Sequence, residues 1–149
     1  MTQSREANVA ASVRQRLLDQ ARSKRVDFNL LLTRYGLERF LYRLGRSEYR
    51  ERFVLKGAML FPLWGVVNYR STRDVDLLGY GESETEALVT VFRTICQTEA
   101  EDDGITFDPA SVQAERYLGE AAPNYSRIST YVCQKPEQAR ETILDIIYL

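Results

Sequence analysis

Over residues 1–50 the apolar positions recur at helical spacing, and from Arg52 onward they gather into short runs. Val9, Val13, Leu17 and Ala21 come every four residues with arginines between them, which predicts a helix that Asn8 can cap. Asp27 can cap a second helix, in which Leu37, Phe40, Leu41 and Leu44 form one apolar face and Gly45 is a C-terminal stop. Residues 53–55 then read as a short buried strand. Lys56-Gly57 opens a brief apolar helix over 58–64, which Pro62 must keep short or kinked. A polar connection over 65–72 leads to a strand over 74–78 that ends at Gly79. Ser83 and Glu86 have the spacing of a capping box, and Leu88, Val91, Phe92 and Ile95 mark the face of the helix that follows. Asp102-Asp103-Gly104 signals a turn, residues 105–107 and 112–118 are weaker strands, and 143–147 is a β-branched run around Asp145. Between Gly119 and that run the pattern degrades.

These elements predict an α/β (α+β) fold: a small mixed β-sheet flanked by helices, with an N-terminal helical pair. The 149 residues suit one domain over 1–149, divided into a helical part, 1–50, and a sheet-bearing part, 51–149. A composition of 44% hydrophobic and 28% charged residues is that of a globular chain. No apolar stretch approaches the ~20 residues of a membrane span, and the N-terminus lacks a signal-peptide core, so the expected location is the cytoplasm. Cys96 and Cys133 lie far apart without CxxC spacing, which reads as two reduced thiols.

The chain has no histidine. That excludes Ser-His-Asp and Cys-His catalysis, histidine bases and histidine-containing zinc sites, and leaves chemistry to carboxylates, lysine, arginine, hydroxyls and backbone. The net charge of −1 hides an asymmetry: residues 1–56 hold 13 Lys and Arg against 6 Asp and Glu, whereas 57–149 hold 7 against 15. A basic half beside an acidic half fits a phosphate or RNA surface next to a metal site, or simply two halves that attract each other.

Asp74 and Asp76 are the candidate centre. Two residues apart on a strand, they point to one side while Val75 and Leu77 point to the other. A cation between two such carboxylates relieves their repulsion, and Mg²⁺ suits a site that finishes its shell with water and substrate phosphates. The helix opening at Gly57 offers free N–H groups to a triphosphate, and a glycine lets the backbone come close to it. Together these describe metal-assisted attack on an α-phosphate, for which a third carboxylate is expected; Asp145, a lone charge within an apolar run, is the candidate. Each part has a plainer reading. A D-x-D on a strand is often a solvated face, Lys56-Gly57 alone is a strand-to-helix turn, and Asp145 alone is equally an edge-strand gatekeeper. The acidic run 99–103 reads as a loop, and the nine tyrosines as packing.

In order and wording these segments resemble the AbiEii/AbiGii-type toxin family of nucleotidyltransferases, within the polymerase-β-like superfamily. The resemblance runs through Arg34-Tyr35-Gly36-Leu37-Glu38-Arg39-Phe40-Leu41-Tyr42-Arg43-Leu44, Arg52-Phe53-Val54-Leu55-Lys56-Gly57-Ala58-Met59-Leu60-Phe61, Ser71-Thr72-Arg73-Asp74-Val75-Asp76-Leu77-Leu78-Gly79 and Glu101-Asp102-Asp103-Gly104-Ile105-Thr106-Phe107. It implies Gly57 and Ala58 as the glycine motif facing the phosphates with Lys56 beside them, Thr72 and Arg73 at the mouth, and Asp74 and Asp76 as metal ligands with Asp145 as the third. It also implies an NTP donor, Mg²⁺ or Mn²⁺ as cofactor, and transfer of NMP to an RNA (often tRNA) or protein acceptor. The setting would be a toxin–antitoxin or abortive-infection system with a separately encoded antitoxin. Gly57-Ala58 departs from the family's Gly-Gly or Gly-Ser, and the resemblance is poor from Gly119 onward. The last residue, Leu149, leads to the expectation that the usual C-terminal helical subdomain, with its triphosphate-contacting lysine, is absent. The alternative function is therefore a truncated, inactive remnant that binds nucleotide, RNA or a partner; a further one is nucleic-acid binding by the basic half.

Overall fold

A computed structural model describes residues 2–65, 73–119, 122–134 and 142–148. The N-terminal pair is two long helices, α1 (Thr2–Lys24) and α2 (Phe28–Arg46). Asp27 caps α2 as expected, its carboxylate accepting from the Leu30 N–H at 3.0 Å. Asn8 does not cap α1, because the helix already starts at Thr2. Gly45 does not end α2 either. The helix runs on to Arg46, and Ser47 stops it by donating from both its backbone N–H and its hydroxyl to the Leu44 carbonyl. A hydroxyl that satisfies an orphan carbonyl makes a left-handed glycine unnecessary there.

After a short 3-10 turn at Arg50–Arg52 the chain enters β1 (Phe53–Lys56) and then a 3-10 helix, Gly57–Trp64. Pro62 lies inside that helix, as the sequence required, and the tighter winding keeps it short. Then come β2 (Asp74–Gly79), α3 (Thr85–Gln97), β3 (Ile105–Phe107), β4 (Gln113–Gly119), β5 (Ala122–Gln134) and β6 (Thr142–Tyr148). The predicted capping box does not form: Glu84 holds the N-cap position of α3 without a side-chain cap, and its carboxylate reaches Arg116 of β4 at 3.9 Å instead.

One mixed sheet holds all six strands in the order β1-β2-β6-β5-β3, with β4 also on β5. β2 and β6 are parallel, and the other pairs are antiparallel. β3 and β4 share one edge of β5, with β6 along its other edge. β5 is the strand that the sequence pattern did not reveal. Its covered face carries Ser126 and Thr130 around Ile128, all three almost fully buried, so apolar alternation is missing. The Thr130 hydroxyl is accommodated: Oγ1 lies 3.3 Å from the Asp108 carbonyl and 3.2 Å from Ser111 Oγ.

The core fills the space between one sheet face and helices α2 and α3. Phe40 of α2 stacks on Phe92 of α3 at 5.6 Å, and Phe53 and Phe107 meet this pair edge-on. Beneath them lie Val75, Leu77, Ile105 and Ile128, each at most 1% exposed. Each fully buried side chain of this size stabilises by about 1.5–3 kcal/mol. α1 adds a small second cluster, in which Val13 and Leu17 pack on Leu32. Part of the charge asymmetry is used internally. Asp103, at the turn before β3, is buried and accepts from Arg39 at 2.7 Å and Arg43 at 2.8 Å, both on α2. Gly104 beside it has φ +76°, and an added Cβ would stand 2.8 Å from Ala10 Cα, so α1 can approach only a glycine.

Candidate functional site

The face of the sheet opposite the helices carries the carboxylates. On β2, Val75 and Leu77 are buried, so Asp74 and Asp76 stand on the other face, both half-buried. Carboxylates two residues apart on a strand are about 7 Å apart and repel by about 2 kcal/mol at an effective dielectric constant of ~20. Burial pushes the Asp76 carboxyl above the ordinary aspartate range, and the charge of Lys56 draws it only part of the way back. Lys56 is exposed on β1, as the cross-strand partner of Asp76.

Gly57 follows directly. Its φ is +71°, in the left-handed region, and an added Cβ would overlap Oδ2 of Asp76 and lie 3.0 Å from its Cγ. The sequence suggested a glycine so that phosphate could approach the backbone. In the structure the space on that side is occupied by the Asp76 carboxylate, so the glycine first of all admits that side chain. Ala58 is half-buried in the first turn of the 3-10 helix that begins at Gly57. Arg73 is exposed immediately before β2. Thr72 lies outside the described residues.

Asp145 comes to the centre through the one parallel pairing. On β6 it is the register partner of Asp74, as Ile147 is of Asp76. Neighbouring strands are about 4.8 Å apart, so the backbone brings the third aspartate position next to the first. It is an interior strand position, with β2 on one side and β5 on the other, which removes the reading of Asp145 as an edge-strand gatekeeper.

The same row continues beyond the predicted residues. Lys56, Asp76, Ile147, Arg127 and Glu115 are successive register partners across β1, β2, β6, β5 and β4. Arg127 and Glu115 are exposed. Neither was singled out from the sequence, because the strand that carries Arg127 was not recognised; the parity of its neighbours, buried Ser126 and Ile128, is the only local signal.

The donor set suits a hard divalent cation. With the Asp145 position it would offer carboxylate oxygens alone, leaving water and phosphate to complete the shell; among the described side chains no three such donors are clustered. Asp76, whose carboxyl burial holds above its ordinary range, is stabilised as the anion by a positive charge placed beside it. Among the described residues no helix is long and apolar enough to cross a membrane.

A family model described as "Nucleotidyl transferase AbiEii toxin, Type IV TA system" matches residues 39–148. The match begins within α2 and runs to the end of β6, so it takes in Gly57, Asp74, Asp76 and Asp145 and extends past Gly119, where the resemblance read from the sequence had faded. The chain matches no curated protein.

Proposed function

The chain belongs to the AbiEii nucleotidyl transferase toxin family of type IV toxin–antitoxin systems, and on that premise we propose that it transfers NMP from an NTP to an acceptor hydroxyl at the Asp74–Asp76–Asp145 face. The observation that carries the proposal is the Asp76 carboxylate seated against Gly57 at φ +71°, with the Asp145 position in register beside Asp74. In the reaction the acceptor oxygen forms a bond to the α-phosphorus, the bond to the β-phosphate oxygen breaks, and pyrophosphate leaves as the hydroxyl proton is lost.

Asp74, Asp76 and Asp145 would hold the divalent cation, Mg²⁺ or Mn²⁺. When bound, it would supply Lewis-acid polarisation of the phosphate and a counter-charge for the reacting oxygens. Lys56, opposite Asp76, stands where it can meet a phosphate oxygen. The first N–H groups of the 3-10 helix present further donors to the same phosphates. Arg73 and Thr72, at the approach to β2, are assigned to the mouth of the site, and Ala58 to the glycine motif through its backbone. The acceptor is assigned as RNA, with tRNA the first to try, and the neutralising partner as a cognate antitoxin protein.

The test is a titration of the four NTPs with and without Mg²⁺ on wild type, Asp74→Asn and Asp145→Asn, followed by transfer of labelled NMP to total RNA. Binding and transfer that need the metal and are lost in both variants are expected. Equal NTP binding by wild type and Asp74→Asn would sink the assignment.

A further inference from the structure

Resting on the nucleotidyl-transfer reading above, we infer that Arg127 of β5 is a donor-triphosphate contact, the second cationic flank of the carboxylate site. Register puts Arg127 on the face opposite α2 and α3, in the row that contains Asp76 and Lys56. Its neighbours Ser126 and Ile128 are buried on the other face, so strand alternation keeps the exposed arginine on the open side. Two strand spacings separate it from Asp76, about 10 Å. That gap leaves room for a phosphate group between the carboxylates and an extended guanidinium.

Charge makes the position matter. The site gathers three aspartate positions, and a triphosphate adds more negative charge than a divalent cation offsets. Lys56 serves the β1 side. Towards β5 and β4, the other described arginine is Arg116, which belongs to the covered face and is turned to Glu84 of α3. Arg52, near β1, is held by the carbonyls of Tyr80 and Glu82. Arg127 is the arginine whose strand position lies on the far flank of the carboxylate row. Its guanidinium suits the role, because a planar fork grips phosphate oxygens in pairs whatever the pH. Glu115, the next position in the row, gives that fork an anionic neighbour until a phosphate arrives.

The test compares Arg127→Gln, Arg127→Lys and Asp74→Asn with wild type in Mg²⁺-dependent binding of ATP and AMP, the preferred base replacing adenine if another NTP binds better. Arg127→Gln is expected to weaken NTP binding by about tenfold or more, the worth of a charge-assisted hydrogen bond. NMP binding should stay near wild type, Arg127→Lys should fall between, and the melting temperature should be unchanged for so exposed a residue. If Arg127→Gln binds NTP like wild type while Asp74→Asn does not, this inference fails and the nucleotidyl-transfer reading stands. Equal weakening of NTP and NMP also overturns it, since that is a general loss of the site rather than of a triphosphate contact. Failure of wild type to bind any NTP brings down both.

Discussion

Gly57→Ala puts the closest contact of the site under direct strain. The residue sits at φ +71°, where an L side chain costs about 1–2 kcal/mol. The new Cβ would also overlap the Asp76 carboxylate, which must rotate away; an off-rotamer carboxylate costs a further ~0.5–1.5 kcal/mol. The sum, about 1.5–3.5 kcal/mol, corresponds to a fall of roughly 3–14 °C in the melting temperature of a domain this size. The two contributions separate in a double-mutant cycle with Asp76→Ala. Removing the carboxylate relieves the overlap with Oδ2 and Cγ and leaves the φ strain with a 3.2 Å approach to the residue 76 Cβ, so Gly57→Ala should cost mainly the φ strain in that background, a coupling of ~0.5–1.5 kcal/mol. Urea unfolding of the four proteins, with a common m-value, measures it. Metal-dependent NTP binding, followed in parallel, should be lost in all three variants. Additive costs within a few tenths of a kcal/mol would refute the close packing of Gly57 on Asp76, and with it the reason given for the glycine.

Asp103→Asn should destabilise by about 3 kcal/mol, because it leaves Arg39 and Arg43 without their shared, buried carboxylate. Burial alone would raise the Asp103 carboxyl, but hydrogen bonds from Arg43 and Arg39 outweigh it and hold it below the ordinary aspartate range. Its contribution is therefore present above the unfolded-chain pKa and lost as pH falls through the folded one, so unfolding curves of wild type and variant should converge in acid; a pH-independent gap would contradict the ion pair. Cys96 is buried, and burial pushes its thiol up to about 11. It should resist alkylation at pH 8 in the native protein and react in denaturant, as read at that residue by mass spectrometry; rapid native labelling would show that the α3–sheet interface opens.

What could be read along the chain was local. The Asp27 cap, the face of α3, the Pro62-limited helix and the alternation of β2 all depend on neighbours in sequence, and each is present. Gly45 and the Ser83–Glu86 pair were misread because a competing group, the Ser47 hydroxyl or the Glu84 position itself, took over the helix end. β5 escaped because its covered face carries the hydroxyls of Ser126 and Thr130, and the partners of Thr130 on α3 and on the 3-10 turn Pro109–Ser111 are visible only after folding. Arg127 escaped with it. The nearness of Asp145 to Asp74 depends on a parallel pairing across 71 positions, and the sequence offered only an isolated charge in an apolar run.

The alternation that builds the core also aims the site. On β2, Val75 and Leu77 are sealed against the helices, and a slip of one residue would bury both aspartates and expose both apolar chains. Such a slip would exchange two buried side chains, about 3–6 kcal/mol together, for two desolvated carboxylates, so the register of β2 is held far more firmly by its covered face than by any contact on the open one. β6 then takes its own register from β2 on one side and β5 on the other, which is how the position of Asp145 is set. A centre made of like charges has no means of assembling itself, since its members repel until a cation arrives. Here the hydrophobic core brings the three aspartate positions together in advance. Gly57, in turn, makes room for the Asp76 carboxylate rather than for packing.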